Sequence, residues 1–139
     1  MTADTMQAGN ANVVRTWFYI LGAVLVLLGV VGSLGISHPI AAGLHLEGGE
    51  MWVHYVLGIA TIGIAFAVKD TRALVNIAYV FAAVYVLVGL VGFVMPAIGI
   101  WHVAILDNIT HILLGVVNGV VGWYASERAP GGTTARVGR

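Results

Sequence analysis

Apolar residues run along this chain in four long blocks, each separated from the next by a short polar or glycine-rich stretch. The blocks cover about residues 16–36, 51–68, 73–95 and 103–125. Each is near the ~20 residues that a helix needs to cross the hydrocarbon core of a bilayer. The pattern therefore predicts an all-α integral membrane protein, a four-helix bundle spanning 13–126. Residues 1–12 and 127–139 are polar, small and rich in breakers, and are expected to be disordered.

A shorter pattern recurs inside the second and fourth blocks. Glu50, His54, Leu57 and Gly58 are matched by Asp107, His111, Leu114 and Gly115, an offset of 57 (111 − 54). Four residues turn a helix through about 40°, so carboxylate, histidine and glycine share one face in each copy. Seven residues after each histidine, on nearly the same line, stand Thr61 and Asn118. Both helices thus carry a polar and small stripe. The first and third blocks also match, at an offset of 60: Tyr19, Ala23, Val26, Gly29 and Gly32 recur as Tyr79, Ala83, Val86, Gly89 and Gly92. The chain reads as two tandem, pseudo-symmetric helical hairpins. Lipid offers no hydrogen bonds, so the stripes are expected to face inward, with helices two and four as the inner pair.

Composition fits this class and excludes others. Hydrophobic residues make up 60% of the 139 and charged residues 9%, too little charge for a soluble domain of this size. All six basic residues (Arg15, Lys69, Arg72, Arg128, Arg136 and Arg139) flank one side of a four-span topology, and the connections 37–50 and 96–102 contain none. The positive-inside rule then places both termini in the cytoplasm. The first block exceeds the apolar core of a secretion signal, and no clear cleavage pattern follows it at 33–38, so it is expected to be retained. With no cysteine, disulfides, thiolate metal sites and covalent haem attachment are excluded.

Glu50, His54, Asp107 and His111 carry the candidate chemistry. Two imidazoles and two carboxylates can make a four-coordinate site for a divalent metal. Two histidines on facing helices can also ligate haem b, and a histidine beside a carboxylate can bind or relay a proton. Against these stands a purely architectural reading. Carboxylates are favoured at helix N-termini by the macrodipole, and the histidines can hold helices in register. Gly29, Gly32, Gly58, Gly89, Gly92, Gly115 and Gly119 are expected to serve close helix packing.

Other features are bland. His38, His45 and His102 belong to the outer connections, and Asn108-Ile109-Thr110 fits a glycosylation acceptor inside a span. Trp17, Trp52, Trp101, Trp123 and Tyr124 fall near span ends, as an interfacial belt does. There is no phosphate-binding glycine loop, nucleophilic triad or nucleic-acid surface.

The segment Asn108-Ile-Thr-His111-Ile-Leu-Leu-Gly115 resembles the signature of a domain-of-unknown-function family of small four-helix bacterial membrane proteins, the 4383 family. The family pattern is richer in Pro and His before the Asn than Ile105, Leu106 and Asp107 are here. The resemblance implies a prokaryotic inner membrane and no particular activity. The expectation is a non-enzymatic structural or accessory protein in contact with lipid, self-associating or bound to another membrane protein. The alternative is a binding or transport protein that uses the paired carboxylate–histidine site.

Overall fold

The computed structural model describes residues 3–34, 49–95, 97, 98, 101, 102 and 104–127, with side chains over 12–34, 51–95 and 104–126. Four helices form an all-α bundle: α1 (Ala3–Ser33), α2 (Gly49–Ala67), α3 (Thr71–Val94) and α4 (Ile105–Glu127). A two-residue antiparallel pair, β1 (Ala97–Ile98) with β2 (Trp101–His102), links α3 to α4. The segments 35–48 and 128–139, with Gly35, His38, His45 and the three tail arginines, lie outside the described residues.

Three helical stretches are long and apolar enough to cross a membrane: Asn12–Ser33, Thr71–Val94 and Ile105–Ser126. The fourth, Met51–Ala67, is apolar but shorter. At 1.5 Å per residue the 19 residues of α2 still reach about 28 Å, close to a hydrocarbon core. Large side chains such as Trp52, Ile59, Phe66, Leu87, Val94 and Leu113 are exposed around the bundle, which is the surface a membrane-spanning protein offers to lipid.

α1 starts earlier than the sequence pattern suggests. Its backbone is helical from Ala3, through the stretch expected to be disordered. Ala3, Met6, Gln7, Ala8 and Ala11 are strong helix formers, and extending an existing helix avoids the cost of nucleation.

The turn between α2 and α3 is only three residues long, and side chains satisfy its exposed backbone groups. Arg15 donates from Nη2 to the Val68 carbonyl (2.9 Å), and Lys69 donates from Nζ to the Phe66 carbonyl (2.7 Å). Cations here also complement the negative end of α2. Asp70 then caps α3, accepting from the Arg72 and Ala73 backbone N–H groups at 3.3 and 3.1 Å.

The core sits at this end of the bundle. Val14 and Phe18 of α1, Ala65 of α2, Leu74, Val75 and Ala78 of α3, and Ala125 of α4 are all buried together. Elsewhere the bundle is two tight hairpins, α1 on α2 and α3 on α4, joined mainly through α1, which packs on both α3 and α4. This corrects the expectation that helices two and four form the inner pair. α1 carries the rings that reach across, Trp17 and Phe18, whereas α2 has no comparable face against the second hairpin.

Each hairpin closes where a glycine lets two backbones touch. A Cβ added at Gly58 would stand 2.8 Å from both the Gly22 carbonyl oxygen and the Val26 nitrogen. One added at Gly115 would stand 2.9 Å from the Ala82 carbonyl oxygen and the Val86 nitrogen. Neither position has room for a side chain. Gly119 is looser, with the Ala82 Cβ at 3.7 Å, and Gly32 is half-buried.

Candidate functional site

The polar stripe of α4 is occupied from its first turn. Asp107 is buried, and its Oδ2 accepts the Ala104 backbone N–H at 2.9 Å. Ala104 precedes the helix and Asp107 is its third residue, so the carboxylate reaches back to satisfy an N-terminal donor, as in one half of a capping box. The positive end of the helix favours the charge there.

One turn on, His111 is half-buried, and its Nδ1 lies 2.7 Å from the Asp107 carbonyl oxygen. A carbonyl only accepts, so Nδ1 carries the proton and the lone pair of the neutral ring is on Nε2. The ring packs against Tyr85 of α3, centroids 5.8 Å apart and planes at 36°. Tyr85 is a member of the site that sequence reasoning missed. At the matching position the first hairpin has Leu25, so comparison of the two hairpins gave no sign of it.

Asn108 is almost wholly buried, and its side-chain amide lies against Gly92, with Oδ1 in the place a Cβ would take. Oδ1 has no conventional hydrogen-bond donor. At that position the glycine offers a Cα–H in place of a side chain, and such Cα–H···O contacts recur at close helix interfaces. Asn108 thus seals the α3–α4 seam.

Asn118 is fully buried with both ends of its amide engaged. Its Nδ2 donates to the Leu114 carbonyl at 2.8 Å, and its Oδ1 accepts the Trp17 indole N–H at 3.0 Å. Trp17, assigned by its sequence position to an interfacial belt, ties α1 to α4. Thr61, the matching position in the first hairpin, is also buried but donates only to the Leu57 carbonyl of its own helix, at 2.7 Å.

In the first hairpin, His54 is half-buried in α2, and Glu50 lies in the first turn with its side chain outside the described set. Nearby, the Ser33 hydroxyl lies 2.9 Å from the Tyr55 hydroxyl, 3.0 Å from the Met51 sulfur and 2.8 Å from the Gly29 carbonyl. Among the described residues no group of three or more His, Asp or Glu side chains is placed to hold a metal ion. What α3 and α4 do assemble is a capping carboxylate, a histidine of defined tautomer and a tyrosine ring.

Compared with known protein families, curated proteins and solved structures, the chain matches none, so the likeness of the α4 segment to the 4383 family gains no support there.

Proposed function

We propose that this is a non-enzymatic accessory protein of a prokaryotic cytoplasmic membrane, multi-pass with both termini inside, built from a duplicated helical hairpin. The observation that carries the reading is the use made of the buried polar groups. Asp107 caps a helix, Asn108 seals a seam, Asn118 joins the hairpins and Thr61 turns back on its own helix. Buried polar groups so engaged specify packing, and chemistry on a substrate would need some of them directed elsewhere.

Duplication is supported by the contacts as well as the residues. Adding 60 on the first helix and 57 on the second turns Val26 on Gly58 into Val86 on Gly115. The same shifts turn Gly29 on Tyr55 into Gly89 on Ile112, and Gly22 on Ile62 into Ala82 beside Gly119. The orientation rests on Arg15, Lys69 and Arg72 clustering at the α2–α3 turn, and the prokaryotic placement on the ten-residue likeness in α4. Reporter fusions at each terminus test the orientation, with cytoplasmic signals expected from both.

The test of the accessory reading is an absorption spectrum with metal analysis of detergent-purified protein from cells supplied with iron and haem. A colourless protein without stoichiometric metal is expected. A Soret band or one bound metal per chain would replace this reading with the haem or metal site on His54 and His111. Self-association is checked by the mass of the detergent-solubilised protein.

A second reading, proton binding, is favoured by one observation: His111 keeps Nδ1 bonded to Asp107, which leaves Nε2 as the basic nitrogen, next to a tyrosine ring. Imidazole is the side chain that changes charge in the physiological range. Replacing His111 with Gln tests it, with loss of any pH response of a measured flux or conformational change expected.

A further inference from the structure

We infer that two copies of this chain associate side by side through the outward face of α3, their Asn76 amides hydrogen-bonded to each other across a twofold axis along the membrane normal. The inference rests on the accessory reading and deepens it, naming the surface and the partner of self-association. Asn76, Val80, Ala83, Leu87, Leu90 and Val94 follow one another at alternating intervals of four and three residues, the spacing of a heptad seam. All six are exposed. They lie on the side of α3 opposite Leu74, Ala78, Gly89 and Gly92, which are buried against the rest of the bundle.

Lipid covers an apolar stripe without help, so Asn76 carries the argument. The 24 residues of α3 reach about 36 Å, against ~30 Å for the hydrocarbon core, so in a centred helix Asn76, in the second turn, lies within the core. Among the described residues its amide has no hydrogen-bond partner, and lipid tails supply none. Asn118 shows how such a group is settled: Nδ2 turns back to the carbonyl one turn earlier, and Oδ1 takes a donor from another helix. If Nδ2 of Asn76 turned back in the same way, onto the Arg72 carbonyl, Oδ1 would still need a donor from outside the chain. An amide carries both donor and acceptor, so a second copy supplies the missing group and receives the same in return. Copies inserted in one orientation and related by a twofold along the membrane normal bring identical residues together at equal depth, and such an interface closes on itself as a dimer. A single asparagine in a heptad seam fixes register and partner number in this way. Thr16, the counterpart of Asn76 on α1, carries a hydroxyl, which can bond to its own helix as Thr61 does.

The chain has no cysteine, so single cysteines report the interface directly. The full chain is reconstituted in liposomes at a fixed lipid-to-protein ratio with Leu87→Cys or, on the matching face of α1, Leu27→Cys, and is then oxidised. A disulfide-linked dimer is expected from Leu87→Cys and not from Leu27→Cys, and any other pattern would overturn the inference. Association of the chain labelled at its C-terminus is then followed by energy transfer as added lipid dilutes it. Asn76→Leu should weaken association about 3- to 20-fold, the effect of a hydrogen bond between membrane helices. Asn76→Gln should keep it, and Thr16→Val should leave it unchanged. Association undiminished in Asn76→Leu would overturn the role of the amide. Circular dichroism checks that each variant keeps its helices. A wild-type chain that stays monomeric would overturn the inference and leave the accessory reading to stand or fall by its absorption spectrum and metal analysis.

Discussion

In the first hairpin the middle of the seam between α1 and α2 is apolar, Val26 against Gly58 and the Tyr55 ring over Gly29, with Thr61 bonded to its own helix and polar contacts toward the ends, Ser33 with Tyr55 and Arg15 on Val68. In the second, the same positions hold Val86 against Gly115 and Ile112 over Gly89, and around them sit Asn108 on Gly92, Tyr85 on His111 and Asn118 bonded to Trp17. The backbone approach is shared, whereas among the described residues the buried asparagines and the buried carboxylate lie in α4. Both hairpins therefore close through the same glycine-mediated backbone approach, and the buried polar groups of the second serve other ends: joining the halves, and presenting one histidine in a defined tautomer.

If closure depends on this backbone approach, Gly58→Ala and Gly115→Ala should both be damaging and should cost alike. Each new methyl would meet partner backbone at 2.8 or 2.9 Å, where no rotamer change relieves it. A loss of about 1–3 kcal/mol is expected for each, read by unfolding in mixed micelles. Gly63→Ala is the control, because nothing lies within 4 Å of the new methyl. It should stabilise by about 0.5–1 kcal/mol through helix propensity.

The next effect belongs to the second hairpin only. Gly92→Ala would place a methyl on the Asn108 amide and should cost about 1–2 kcal/mol. Asn108→Ala removes the obstacle, so the double variant should recover most of that loss, and the cycle measures the contact directly. If the two losses simply add, the amide does not seal the seam.

These pairs also show what could be read from the sequence. The four apolar blocks located the helices to within a few residues at most ends, because spanning length and hydropathy leave little choice. The early start of α1 was hidden, since a short stretch of helix formers takes its structure from the helix it extends. The polar stripes were visible on the wheel, yet the identity of the inner helices did not follow from them. Thr61 and Asn118 both bond to the carbonyl four residues back, so a polar residue in a span can be satisfied without a polar neighbour. Periodicity gives the direction of a face and not what it meets. The partners of the stripe, Tyr85 and Trp17, come from helices whose own pattern is apolar, and only three-dimensional register brings them in.

A smaller effect separates the two stripe positions. Asn118→Leu removes the bond to Trp17 and should cost about 0.6–1.7 kcal/mol, the range of hydrogen bonds between membrane helices. Thr61→Val removes only a bond within α2 and should stay under about 0.5 kcal/mol. Equal losses at the two sites would mean that the hairpins are not joined through Trp17.

The last predicted effect bears most directly on function. Asp107→Ala removes the acceptor for the Ala104 N–H and the negative charge at the positive end of α4, each a contribution of a kind worth about 0.5–1 kcal/mol. As a cap, Asp107 should give a modest fall in thermal stability that divalent metal does not alter, and Asp107→Asn, which keeps an acceptor oxygen, should recover part of it. As a ligand, it would give a fall that disappears once metal is stripped from the wild-type chain, with no recovery by asparagine. The 2.9 Å bond to the residue just before the helix favours the first outcome, because a carboxylate oxygen already aimed at its own backbone is turned toward the helix end.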